Sequence, residues 1–232
     1  MKLQLFFTIN WASKFNRAIA LSEAGIAKYA KARSGGLFIA VHTGAIYTYD
    51  ESDQVAWNIP ASRREYFESI IAVDEQTGKT GPRGPYPFER LSAWQAVDPK
   101  NRRLEVLDVP GLTPDELIAS RQRALWAVRN IGYARYQLVQ NLLGVKLKIG
   151  PLRFTRSRGL WTCVEYAMQL LPARLAKSDF GLGYVLFDEY CPWGSDSYGL
   201  YQLLNSYNAR QGIERPQSVA KKEDNAVKED GR

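Results

Sequence analysis

A chain of 232 residues with 45% hydrophobic and 12% aromatic residues can bury a full core, which excludes a disordered protein and favours one domain with a tail. Two cysteines exclude a disulfide framework, and a single histidine with two distant cysteines excludes a convincing transition-metal site. The net charge of +7 invites a polyanionic partner. Lys and Arg are scattered, however, apart from Arg153, Arg156 and Arg158, and no zinc-finger, helix-turn-helix or RNA-recognition pattern accompanies them.

Nucleic-acid binding therefore has the least support among the function classes. No phosphate loop or dinucleotide glycine fingerprint occurs, and no metal or cofactor is expected. No run approaches the roughly 18 apolar residues of a membrane span. The apolar start Leu3 to Ile9 is too short for a signal peptide and is followed at once by Asn10, Lys14 and Arg17. The expectation is a protein without a signal peptide or transmembrane segment, cytoplasmic or carried in a virion.

In chain order, Leu3 to Ile9 reads as a buried strand. Ser13 opens a helix that carries Phe15, Ala18, Ile19 and Ile26 on one face and is interrupted at Gly25. Lys28, Lys31 and Arg33 lead into a Ser34-Gly35-Gly36 loop. Leu37 to Tyr49 is the clearest strand, Asp50 to Asp53 is turn chemistry, and Gln54 to Ile59 reads as the returning strand of a hairpin. Arg63 to Val73 is short and mixed, a helix and then a strand. Thr77 to Pro87, with three prolines, reads as a loop or lid. Arg103 to Val109 is a further strand, and Thr113-Pro114-Asp115-Glu116 starts a helix that runs towards Gly132. A helix over Leu138 to Leu143 and a basic connection over Gly144 to Arg158 follow. After Pro172 come an aromatic loop and a short helix, Tyr198 to Ser206, with Leu200, Leu203 and Leu204 inward. From Glu214 the chain is polar and charged, so the expected division is a domain over 1–213 and a disordered tail over 214–232.

Two residues in this order carry chemistry. From Thr162 onward Val164, Ala167, Met168 and Leu171 recur at helical spacing, Thr162 and Glu165 form a capping-box pattern, and Pro172 ends the run. Cys163 then lies in the first turn, where free N–H groups and the positive end of the helix dipole favour a thiolate and could receive an oxyanion. A buried cysteine acting as a small hydrophobe fits the same pattern. His42, the chain's one histidine, sits on the strong strand. It is either the imidazole of a catalytic pair or a hydrogen-bonded histidine of a half-buried sheet.

The order of these pieces resembles a family. A strand with Val41-His42-Thr43-Gly44-Ala45-Ile46 is followed by a strand with Val55-Ala56-Trp57, by the basic pair Arg63-Arg64, by Leu-Thr-Pro-Asp-Glu opening a helix, by Gly132-Tyr133, and by a helix beginning Cys163-Val164-Glu165. Over about residues 3 to 206 this is similar to the circularly permuted NlpC-type papain-like cysteine hydrolases, the group that includes lecithin:retinol acyltransferase-like enzymes. The resemblance implies an α+β fold, an antiparallel sheet packed against helices with the cysteine at a helix N-terminus.

It further implies that Cys163 attacks an acyl carbon with His42 as base and then acid, while the Cys163 N–H and the Tyr133 hydroxyl take the oxyanion. Two departures stand out. Val41 occupies the place of the family's Ser, and Val55 cannot orient the imidazole, which leaves Asn58 or Gln54 for the third position, with Asn58 preferred. The substrate would be a peptide, a peptidoglycan amide or a lipid amide or ester. The alternative is a catalytically weakened member serving as a structural or interaction protein with an assembly partner, for example in a phage particle.

Overall fold

The computed structural model describes residues 1–53, 59, 63–73, 78–134, 160–179, 183–186, 189–192 and 197–213. Strand β1 (Lys2–Asn10) is buried on both faces and is central for that reason: Leu3, Leu5, Phe7 and Ile9 point one way, and Gln4, Phe6 and Thr8 the other. Strands β2 (His42–Thr48), β3 (Arg64–Ile70), β4 (Gly81–Pro87) and β5 (Arg102–Asp108) complete a five-stranded sheet in the order β4-β3-β2-β1-β5. Every pairing in it is antiparallel.

Among the described residues the sheet is flanked by helices α1 (Lys14–Arg33), α2 (Phe88–Val97), α3 (Pro114–Asn130), α4 (Cys163–Leu170) and α5 (Ser197–Arg210). A short parallel pair, β6 (Gly132–Tyr133) with β7 (Leu160–Trp161), lies just before α4. A small antiparallel sheet of β8 (Ala176–Asp179), β9 (Gly183–Leu186) and β10 (Glu189–Pro192) follows it. The fold is therefore α+β.

The two sheet faces serve two cores. Leu5, Phe7, Ala45, Tyr47 and Phe67 join the larger one with Val164, Tyr166, Ala167 and Leu170 of α4. Phe6, Ile46 and Tyr66 join the smaller one with Phe88 and Leu91 of α2. Helix α4 packs across β2 and β3 and touches α3 and α5, so nearly all its side chains are buried. It stops where the sequence requires: Leu171 precedes Pro172 and takes an extended ψ of 146°.

Several segments depart from the sequence reading. Besides β1, the partner of β2 is β3, and Arg64 to Ile70 is one continuous strand. Thr77 to Pro87 is not a lid, since Gly81 to Pro87 pairs with β3 as the sheet's edge. An edge tolerates Pro82, Pro85 and Pro87 because the missing N–H groups need no neighbour. Ladder pairing begins at His42, whereas Phe38 to Val41 are buried without forming part of a strand. An apolar run reports burial and not pairing. Helix α1 continues through the basic residues to Arg33. Gly25, at φ +76°, resets its phase and leaves Ile26 81% exposed instead of on the buried face. Strands β8 to β10 occupy the region read as aromatic loop, and α2 carried no expectation at all. Residues 54–58, 135–159 and 214–232, which include Gln54, Asn58, the Leu138 to Leu143 helix, the basic connection and the tail, lie outside the described residues.

Candidate active site

Thr162 is the N-cap of α4 and Cys163 its first residue. The Thr162 hydroxyl accepts from the Glu165 N–H at 3.2 Å, and the Glu165 carboxylate accepts from the Thr162 N–H at 2.9 Å. This closed box fixes the first turn, and with it the direction of the Cys163 side chain. Glu165 thus has a structural task. The sulfur, 6% exposed, lies 3.8 Å from the Ser197 hydroxyl at the start of α5 and accepts from the backbone N–H of Thr43.

His42 opens β2, where the strand end brings its ring within hydrogen-bonding reach of Cys163. Its Nε2 meets Glu68 Oε2 at 2.8 Å. The register explains the meeting. Gly44 pairs with Glu68, so His42, two residues earlier, shares a sheet face with Glu68 as a diagonal neighbour. Glu68 in turn pairs directly with Arg83 of β4, whose Nε and Nη2 donate to Oε1 at 2.9 and 2.5 Å. Three adjacent strands thus present imidazole, carboxylate and guanidinium in a row. A side chain at Gly44 would run into the Phe67 carbonyl and the Phe6 ring, so the sheet is at its tightest beside this row.

The electrostatics follow from that row. Burial alone would depress the imidazolium, but the hydrogen bonds and charges of Cys163 and Glu68 outweigh it and raise His42 from 6.5 to about 10. Burial would likewise raise the Cys163 thiol. The imidazolium, helped by Ser197 and the Thr43 N–H, brings it below its ordinary value instead. Glu68 stays below the ordinary carboxyl range despite burial, because His42 and Arg83 both favour its anion. The favoured state is a thiolate facing an imidazolium.

Tyr133, on β6, is buried and lines the same cavity of about 470 Å³ as Cys163 and His42. Burial and the nearby charges of Cys163 and Glu165 push its phenol well above its ordinary value, so it stays a neutral hydrogen-bond donor.

The structure therefore brings together Cys163, His42 and Tyr133. Asn58, the expected third member, lies outside the described residues, and the group on the far side of the imidazole is Glu68. Sequence reasoning missed Glu68 and Arg83. No apolar alternation pointed to them, because β3 buries a carboxylate on each of its faces. Among the described residues no group of three His, Cys, Asp or Glu side chains could hold a metal ion, and no helix is long and apolar enough to cross a membrane. Comparison of the chain with models of known families, with curated proteins and with solved structures finds no match.

Proposed function

We propose that this chain is a cysteine hydrolase of permuted papain-like type, cleaving an amide or ester through Cys163 and His42, with Glu68 orienting the imidazole. The observation that carries the proposal is the row His42, Glu68, Arg83 lining one cavity together with Cys163 at the first turn of α4. A buried structural cysteine needs neither a first-turn position nor an ionised partner. The chain order, with the histidine strand ahead of the cysteine helix, is the order that the permuted resemblance implies.

The Cys163 thiolate attacks the carbonyl carbon of the substrate, and the developing oxyanion receives the Cys163 N–H, which has no partner within the helix, and the Tyr133 hydroxyl. His42 gives its proton to the departing amine or alcohol, and a thioester remains. Neutral His42 then takes a proton from water. The hydroxide equivalent attacks the thioester, the acid leaves, and the proton on the imidazole restores the starting pair. Glu68 keeps the ring in the productive tautomer, with Nε2 occupied and the other nitrogen left for sulfur and leaving group.

The test is to incubate the protein with an activated ester and follow intact mass. A mass increase that maps to Cys163, decays with time, and is absent in Cys163→Ala and in His42→Ala supports the reading. Acylation of Cys163 that is unaffected by His42→Ala would refute the pairing.

A further inference from the structure

We infer that Arg90 is the anion-recognition residue of the cavity and that the substrate cleaved at Cys163 bears a carboxylate; this rests on the hydrolase reading above. The cavity that opens at Cys163 and His42 runs towards α2, where Tyr66, Trp94 and Arg90 line it. Its charged lining residues differ in what they are committed to. Glu68 is held by His42 and Arg83, and Arg83 is committed to Glu68. Among the described residues Arg90 makes no ion pair, and Glu68 is the one carboxylate that lines the cavity. With thiolate balanced by imidazolium and Glu68 by Arg83, the described part of the lining keeps one positive charge, on Arg90.

The guanidinium is also pre-organised. It lies 4.6 Å over the Tyr86 ring, and Tyr86 is itself buried against Tyr66. This contact restrains the exposed side chain beside the cavity, and a guanidinium offers N–H groups that can meet a carboxylate through two parallel hydrogen bonds. A single fork with one net charge matches a monoanion such as a carboxylate. A cavity of about 470 Å³ admits a small peptide-like molecule, with its scissile carbonyl at Cys163 and its carboxylate at Arg90.

Two bromoacetamides test this on the full chain, one whose amide arm ends in a carboxylate and one whose arm ends in a carboxamide. The ratio of their alkylation rates at Cys163 is compared between wild type, Arg90→Gln and Arg90→Lys. The expectation is a preference of roughly three- to tenfold for the carboxylate in wild type, lost in Arg90→Gln, partly kept in Arg90→Lys, and weakened by salt. An equal ratio in wild type and Arg90→Gln, with both proteins folded by their unfolding midpoints, overturns the inference. Should Cys163 prove inert to both reagents, the hydrolase reading fails, and ligand-observed NMR still decides on Arg90. Saturation transfer to N-acetylglycinate but not to N-acetylglycinamide, abolished in Arg90→Gln, supports the anion site. Equal transfer to both ligands, or transfer unaffected by the substitution, overturns it.

Discussion

Glu68→Gln changes the charge behind the imidazole while leaving the shape of the side chain almost unaltered. In the wild type His42 is raised from 6.5 to about 10, equivalent to about 5 kcal/mol favouring the imidazolium, with Cys163 and then Glu68 as the groups that raise it against burial. An opposite charge at 2.8 Å accounts for on the order of 2 kcal/mol of such a shift. Its removal also leaves the Arg83 guanidinium facing a neutral amide, which acts in the same direction. His42 should then fall below about 10, and the thiol, less well supported by imidazolium, should rise. In a pH profile of turnover the acid limb reports formation of the thiolate and the alkaline limb reports loss of the imidazolium proton. The bell should therefore narrow from both sides. The acid limb alone can be followed by iodoacetamide labelling of Cys163, independently of any substrate. If both limbs stay in place, Glu68 does not support the pair, and the Cys163, His42, Glu68 arrangement is structural.

Other perturbations test different parts of the argument. His42→Ala should slow alkylation of Cys163 near neutral pH and abolish turnover with the fold intact; an unchanged labelling profile with a lowered unfolding midpoint would mark His42 as a structural histidine. Thr162→Ala opens the capping box of α4 and should cost about 1 kcal/mol, read as a lower midpoint in urea. Gly44→Ala forces a methyl group into the Phe67 carbonyl and the Phe6 ring and should cost roughly 1–3 kcal/mol, with no rescue at low temperature. Linkage makes a further prediction. Wherever the native sulfur is a thiolate between pH 6.5 and 9.0, the native state holds a proton on the ring and the unfolded state holds one on sulfur, so proton counts match and stability should be flat. Above pH 9.0 the unfolded chain has lost that proton and the native state keeps it, so stability should fall towards pH 10. Below pH 6.5 the unfolded chain also protonates its histidine while the native pair still holds one proton, so stability should fall there too, and more steeply below about 4.5, where Glu68 is protonated in the unfolded chain before it is in the native one. A continuous slope across the middle of this range would contradict the ion pair.

Much of the site was legible because its members are scarce or stand at marked places. One histidine leaves no rival imidazole, and Cys163 follows an N-cap whose box partner Glu165 is visible three residues on. Glu68 was hidden because β3 buries Glu65 on one face and Glu68 on the other, so neither face reads as apolar and the period-2 signal disappears. Arg83 was hidden by three prolines that mark a loop unless the strand is known to lie at an edge. The α+β class followed from the resemblance, but the partner of β2 could not be found by pattern. Pairing depends on which segment buries its charges against arginines, and that is tertiary information.

Strand β3 has one more property that follows from its two carboxylates. Glu65 and Glu68, an odd number of residues apart, emerge on opposite faces, and each meets its own arginine. On the far face from the cavity, Glu65 accepts from Tyr49 at 2.9 Å, and Arg121 donates to both Tyr49 and Glu65. A slip of β3 by one residue against β2 would turn Glu65 to the cavity face, opposite the Pro87 end of β4, and Glu68 towards the hydrophobic core, with Tyr66 and Phe67 exchanged as well. Both arginines would lose their counter-ions at once, and two buried charges would be stranded. Mispaired sheets are therefore penalised twice, by apolar packing and by charge, and the chain can reach its native pairing only by assembling the His42, Glu68, Arg83 row.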